Sequence, residues 1–528
     1  MTLISLEAAW EYQATANTVP PDPFAVTVPA AGWTLGQAPF GTADSYDPTD
    51  LPINTAWAVD TGLWIRRNVT TSGLEDVLLQ GEVENACYVY VDGEFVGAVN
   101  PANTAVAMRS WSVVISRDLL DSGSHEIAIL ALDESASGAG DDTLIYATAD
   151  YIPVVLPLQP QAPAKEALVW MTDVMPAEDG TEDRLQVRAS PRQRFTYSYP
   201  ASELERARAL NTVYGGRARD WLVPVWPQAQ LLGAVAADEV ELTAETRYSE
   251  FRAGGLVMLW QSTNDFQLLG LDEVVDDATL ALAGATREFT AAWLMPVRIG
   301  HLVSNPSKAL NGHNTVLEMA YEVDDNAALE VAEPTQYLGD DIYFTESLLP
   351  GEWLSEDIMT QVDAHDPEIG LTSRRYPWLN VRVGRDHHMM GEGPEEAWEI
   401  REWLHRRAGR LRQFWQPSFE MDMMPRSTGT VVSALTVSSD DYRRYSSSRV
   451  HIAVEAAGVW YARAISSTVQ LDAARVQLNL SAALNVPASS IQRVCFLGLK
   501  RLDTDRIEIS WPGAGICQSE ARMVELSP

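Results

Sequence analysis

Residues Gly216–Trp226 read GRARDWLVPVW, and residues Gly409–Phe419 read GRLRQFWQPSF. At a constant offset of 193 the two share the frame Gly-Arg-x-Arg-x-aromatic-x-x-Pro-x-aromatic. The surroundings match in order. Upstream of each lies an aromatic stretch with a Tyr-Pro pair, RFTYSYP (Arg194–Pro200) and SRRYPW (Ser373–Trp378), followed by a helical pattern. Downstream of each lies a hairpin pattern: GLVMLWQSTNDFQLLGL (Gly255–Leu271) turns at Asn264-Asp265, and RVHIAVEAAGVWYARAI (Arg449–Ile465) turns at Ala457-Gly458. VLEMAYEV (Val316–Val323) and RIEISWPG (Arg506–Gly513) read as the two closing strands. Such self-similarity is a duplication of about 180 residues, and two copies suit a tandem pair of β domains rather than a solenoid.

Outside the frames, short alternating runs dominate, among them DVLLQG (Asp76–Gly81), ACYVYVDGEFVG (Ala86–Gly97) and SHEIAILAL (Ser124–Leu132). Period-two alternation of apolar residues places one side of a strand against a core. Asp92-Gly93 reads as a two-residue hairpin turn, because both positions need positive φ. Clear helical patterns are limited to Ala201–Val213 and Glu395–Leu411. The four prolines of YIPVVLPLQPQAP (Tyr151–Pro163) read as a stiff linker or an edge crossing after a first domain of about 150 residues. The expected fold is therefore mainly β with a few short helices.

The chain has 528 residues, and its 73 acidic against 38 basic side chains give a net charge of -35. That charge opposes binding to nucleic acid or to an anionic membrane surface. Three cysteines, Cys87, Cys495 and Cys517, make neither a disulfide framework nor a zinc spacing and fit a reducing cytosol. The first residues lack a basic, then apolar, secretion signal, and no run of about 18 apolar residues suggests a span.

Catalytic motifs are scarce. No phosphate-cradling glycine loop, GxSxG, HExxH or CxxC occurs. The densest cluster, RDHHMM (Arg385–Met390), reads as a loop, and adjacent histidines on a strand or helix point apart, a poor chelate. With this many acids, no carboxylate pair stands out as a glycosidase pair. Within the frames, Arg217, Arg219, Arg410 and Arg412 are expected to pair with acidic neighbours, in the domain or on a partner subunit. Trp221, Trp226, Phe414 and Phe419 are expected to be core or interface anchors, because a position needed twice suits packing.

Two resemblances follow. TGLWIRRNV (Thr61–Val69), VLLQGEVENACYVYVDGEFVGAV and WSVVISRDLLDSGSHEIAILALDE (Trp111–Glu134) together resemble the galactose-binding-like jelly-roll module of β-galactosidases and other carbohydrate-active proteins. That resemblance implies a module over residues 1–155, with loop aromatics Trp33, Tyr46 and Trp57 as candidate sugar-stacking residues. The duplicated half, with FWQPSFEMDM (Phe414–Met423) and DRIEISW…ARMVEL (Asp505–Leu526), resembles tail-tip and baseplate proteins of long-tailed phages. It implies tail-type β domains over 156–335 and 336–528. The implied role is a virion structural subunit, a distal tail or hub-associated component made in the host cytoplasm. Its implied partners are copies of itself in a ring, other tail proteins and host-surface polysaccharide. Membrane insertion, cofactors, metals and turnover are not expected. The competing reading is a glycoside hydrolase with an accessory jelly roll.

Overall fold

The computed structural model describes residues 2–6, 8–42, 53–58, 61–72, 77–100, 108–115, 119–120, 122–133, 143–151, 154–216, 220–311, 314–326, 329, 331–347, 355–378, 381–445 and 449–526. The architecture is mainly β, an N-terminal jelly roll followed by two like β-sandwich domains with short helices. The chain divides into two compact units. Unit 1 comprises Met1–Ala164, Phe195–Asp325 and Gly513–Gly515; unit 2 comprises Lys165–Arg194, Asn326–Pro512 and Ile516–Pro528.

Unit 1 begins with two sheets. One runs Met108–Ile115, Val77–Glu84, Leu144–Tyr151, Phe40–Gly41, Thr55–Ala56, with Thr2–Ile4 also on Leu144–Tyr151. The other runs Thr34–Gln37, Ala9–Thr15, Gly62–Ser72, Ser122–Leu132, Ala86–Val91, Glu94–Val99. A single core holds Leu79, Val83 and Ile145 of the first sheet against Ile65, Val89 and Ile129 of the second. Asp92 and Gly93 take φ of 50° and 84° between paired Val91 and Glu94, the geometry expected of that turn. Strand Ala86–Val91 is buried on both sides: Cys87 and Val89 face the sandwich, while Tyr88 and Tyr90 lie under Val26, Val28 and Trp33. The proline-rich stretch pairs as an edge, with Val154–Val155 parallel to Trp221–Pro224.

The jelly roll and the first repeat touch backbone to backbone. Ala98 N donates to Ala283 O (3.0 Å), and Asn100 N donates to Asp272 Oδ2 (2.8 Å). Glycines permit this: a Cβ on Gly97 would lie 2.1 Å from Ala283 O, and one on Gly270 1.9 Å from Ser112 O.

The two repeats share one pairing plan. Trp221–Pro224 pairs with Phe289–Leu302 as Phe414–Pro417 pairs with Ile491–Leu502. Leu256–Ser262 forms a hairpin with Asp265–Asp276, as His451–Ala456 does with Val459–Gln470, the latter turning on Ala457 and Gly458, both at positive φ. Glu241–Thr243 lies on Thr279–Leu282 as Ala434–Ser438 lies on Arg475–Leu480. The parallel pair recurs too, with Asp340–Ile342 beside Phe414–Pro417. The expected helices appear as α1 (Glu203–Gly216) and α2 (Pro394–Arg407), and a third, α3 (Ser439–Tyr445), belongs to the second repeat. Equivalent cores, around Val257, Leu259 and Leu280 and around Ile452, Val454 and Val476, fill the two sandwiches.

Two expected matches are corrected by this plan. Asn314–Val323 pairs with Phe289–Leu302 as Ile516–Glu525 pairs with Ile491–Leu502, so VLEMAYEV corresponds to the final strand and not to RIEISWPG. The RFTYSYP strand (Arg192–Ala201) runs into α1 as Arg382–Gly391 runs into α2, so its counterpart is RVGRDHHMMG and not SRRYPW. RDHHMM is accordingly a strand and not a loop, because a backbone hydrogen-bond ladder to Ile516–Glu525 holds it extended.

Candidate functional site

Alternation on strand Arg192–Ala201 buries Phe195, Tyr197 and Tyr199. Tyr197 OH donates to Pro224 O (3.0 Å) and its ring lies 6.1 Å from that of Tyr321. The same alternation on Arg382–Gly391 buries Arg385, His387 and Met389. Aligning the ends of these strands at Ala201 and Gly391 puts Arg385 where the first repeat has Phe195, and His387 where it has Tyr197. The neighbouring strands change in the same sense. Gln416 takes the place of Val223, and the ladder pairs Lys500 with Glu525 where Gly300 pairs with Val323. Four apolar positions of the first repeat, Phe195, Val223, Gly300 and Val323, are thus ionisable or polar in the second, and the phenol Tyr197 is replaced by an imidazole. A sandwich core gains nothing by such a change, because buried polar groups must be matched or they destabilise. This cluster is the candidate functional site of unit 2.

Its members find partners among themselves and their neighbours, except that His387 Nε2 is buried without one among the described residues. Lys500 Nζ donates to Gln416 Oε1 (3.0 Å), and Gln416 Nε2 faces His387 Nδ1 at 3.5 Å. Arg385 pairs with Glu356 and with Glu420 (3.1 Å) and donates to Ser418 O (2.7 Å). Arg449 pairs with Glu525 at 3.0 Å. Burial pulls the Lys500 ammonium down to about 8, with Arg385 adding repulsion while Glu525 and Glu356 oppose it. Burial also pulls His387 down to about 3, helped by the positive charge of Lys500 and then Arg385, so its imidazole is neutral near pH 7. Burial raises the Glu525 carboxyl against the pull of Arg449 and Lys500. A lysine held near 8 is a weaker base than an exposed one, but more of it is free amine near neutral pH and so available as a nucleophile. Yet Lys500 is 6 % exposed and His387 1 %, so the group is sealed inside the sheet packing.

A pH prediction follows from the lysine. Its folded proton is lost near pH 8 and its unfolded proton near 10.5, so the unfolded chain binds more protons between these values and stability rises across that window. The rise is on the order of 3 kcal/mol. Lys500→Met removes it. Urea titrations at pH 7, 8, 9 and 10 check this, and an unchanged alkaline limb in the variant contradicts the assignment.

The four frame aromatics pack inside the protein. Trp221 is buried, with Nε1 donating to Gly216 O (3.1 Å). Phe414 is buried against Trp403 (5.4 Å between ring centres). The closing aromatics behave alike: Trp226 meets Trp260 edge-on at 5.3 Å, and Phe419 meets Trp460 at 5.7 Å. Arg410 pairs with Asp505 (3.2 Å) within unit 2, whereas Arg412 is exposed. Arg217 and Arg219 lie outside the described residues.

The candidate sugar-stacking aromatics separate. Trp57 is a correction: it is 2 % exposed, with Nε1 donating to Thr61 O (3.0 Å), so no ring face is open to a sugar. Tyr46 lies outside the described residues. Trp33 is half-buried, its Nε1 donates to Pro29 O (2.8 Å), and Arg66 covers its ring at 4.2 Å. Phe24 was not foreseen. It is 70 % exposed on the short turn Pro23–Ala25, capped by Asp22, and packs edge-on against Phe95 at 4.9 Å. Its setting in PPDPF, where Asp caps and Pro starts a turn, was the available signal.

Among the described residues no helix is long and apolar enough to cross a membrane, which says nothing of membrane β-barrels. No protein family matches the chain, and no curated protein does. Two solved structures align weakly. One is the Faecalibacterium prausnitzii beta-glucuronidase, with 10 % identity over 37 % of this chain and 44 % of that one, at a TM-score of 0.22. The other is the GH2 beta-galacturonidase from Eisenbergiella tayi bound to galacturonate, with 11 % identity over 60 % of this chain and 46 % of that one, at a TM-score of 0.17. The chain spans less than half the length of either, and likenesses this slight carry neither fold nor activity across.

Proposed function

We propose that this chain is a structural assembly subunit of the tail-tip or baseplate class that its duplicated half resembles, working by contact and not by turnover. One observation carries the reading: a single chain repeats the same core pairing plan, and the aromatics common to both frames are packing residues. Two like domains in tandem give a subunit two like sets of edges, which is what a closed ring of subunits uses. The jelly roll is the part of the subunit offered to host polysaccharide, with Phe24 as its exposed aromatic and Trp33 half-buried under Arg66.

Protein inventory of purified virions tests the first part, and the chain is expected as a multi-copy component. Its absence from particles, or steady release of reducing ends from a polysaccharide by the purified chain, overturns the reading in favour of a glycoside hydrolase. Glycan binding by a ring gains from avidity. The particle is therefore expected to bind host polysaccharide at least about 100-fold more tightly than the free full-length chain. Equal affinities on a glycan surface remove the multivalent part of the proposal.

A further inference from the structure

Each repeat is preceded by a small antiparallel hairpin. In the first it is Thr172–Pro176 with Glu182–Gln186; in the second, Asp363–His365 with Ser373–Arg375. Both hairpins start 31 residues before the first residue of the following helix, α1 or α2. They are therefore equivalent parts of the duplication, but their surroundings differ.

The first hairpin is seated within unit 2, on the turn that follows strand Ile491–Leu502 of the second repeat. Thr172 N donates to Asp505 Oδ2 (2.7 Å), Arg410 Nη2 donates to Thr172 O (2.8 Å), and Arg501 grips Glu182 at 2.5 Å. The chain leading into it also lies on this turn, with Trp170 N donating to Asp505 O (2.8 Å). Beyond the turn, strand Arg506–Gly513 is half-covered, with Ile507, Ile509 and Trp511 buried.

Among the described residues the second hairpin has no such seat. Residues 361–376 are all exposed, and its tip carries Ile369 at 88 % and Leu371 at 95 %. Arg375 reaches Glu178 (2.7 Å), an ion pair exposed on both sides. A two-stranded hairpin standing alone in water is marginal at best, and two bare aliphatic side chains at its tip add to the need for cover. The equivalent seat on the first repeat is the turn after Phe289–Leu302 and the short strand Ser307–Asn311. That seat is bare: Val303, Ser304, Asn305 and residues 307–310 are exposed, where the second repeat is half-covered, with Ile507 and Ile509 buried. Asp363, Asp366 and Glu368 lie on the first strand and turn of the hairpin and Lys308 on the bare strand, while Arg374 and Arg375 of the return strand offset two of those acids.

We infer that the Asp363–Arg375 hairpin of one molecule docks on the Val303–Leu310 edge of the first repeat in a second copy of this chain. The contact reproduces between molecules the seating that the first hairpin has within one. It is heterologous, so repeated addition closes a ring or grows a filament, according to the rotation per subunit. This deepens the assembly reading, on which it rests for its purpose, while its geometry rests on the duplication alone.

The test uses the full-length chain. Ile369→Asp with Leu371→Asp, and separately Val303→Asp with Leu310→Asp, alter only exposed side chains, so both variants are expected to keep the wild-type melting temperature. Each is expected to weaken self-association, read by mass photometry and sedimentation, by at least about tenfold. Mixing a Leu371→Cys chain with an Ala309→Cys chain is expected to give, on oxidation, a disulfide-linked pair of chains; the three native cysteines are buried. Undiminished association of the Asp variants, without cross-linking, overturns the hairpin contact and leaves the assembly reading standing. A Leu371→Cys/Ala309→Cys double variant that cross-links only within one chain also overturns it. A chain that stays monomeric at every concentration and is absent from virions overturns both.

Discussion

Glu166→Ala is expected to destabilise unit 2 by about 3–5 kcal/mol, the cost typical of stranding one partner of a buried ion pair. The Glu166 side chain is fully buried. Oε1 accepts from Gln193 Nε2 (2.9 Å), and Oε2 accepts from Arg401 Nη1 (3.1 Å) and from Trp511 Nε1 (3.1 Å). One carboxylate therefore ties α2, the strand Arg506–Gly513 and the segment ahead of the first repeat, all within unit 2. Alanine removes the acceptor shared by all three donors and with it the Arg401–Glu166 ion pair. Differential scanning calorimetry is expected to show the transition of unit 2 moving down, with that of unit 1 less affected. The double variant Glu166→Leu/Arg401→Met is expected to recover much of the loss, because an apolar pair in place of a buried ion pair is often neutral or better. A single variant that melts as the wild type does, or a double variant no better than the single, contradicts this account.

Gly270→Ala is expected to cost about 3 kcal/mol or more, through the junction of the jelly roll with the first repeat. The added methyl would lie 1.9 Å from Ser112 O and 2.9 Å from Ser112 C, and both contacts are with backbone. A flexible side chain could turn aside; a strand backbone inside a ladder moves only if its neighbours move, and overpacking of this kind is destabilising. Gly97→Ala is the companion, with Ala283 O at 2.1 Å. Gly123→Ala is the control, since its nearest foreign atom is His125 Nε2 at 3.9 Å and its φ is not in the left-handed region. The two crowded variants are expected to expose the junction to limited proteolysis, while the control behaves as wild type or slightly better. Identical cleavage patterns for Gly270→Ala and Gly123→Ala would falsify the backbone-contact account.

The residues that define local geometry were readable. Asp92-Gly93 and Ala457-Gly458 sit in the two-residue turns their composition demands, and both long helical patterns are helices. Between-strand partnership was less readable. SRRYPW resembles RFTYSYP in composition, yet it belongs to the exposed hairpin, because the true counterpart had exchanged aromatics for Arg385 and His387. Matching by residue type fails where a duplicated core has changed its chemistry. Trp57 shows the same limit for sites: aromatic identity says nothing about whether a ring lies in the core or at the surface.

Composition, periodicity and turn residues, each confined to a few neighbouring positions, settled that this is a β-rich, duplicated chain with few helices. Tertiary structure alone decided that Lys500 lies beside Gln416, 84 residues away, and that Trp511 reaches Glu166 across 345. It also decided that one hairpin is anchored by Asp505, Arg410 and Arg501 while its twin stands exposed. The reason is physical: backbone conformation is set by local sterics and hydrogen bonding, whereas desolvation, pKa and exposure depend on whichever distant strands pack against a residue.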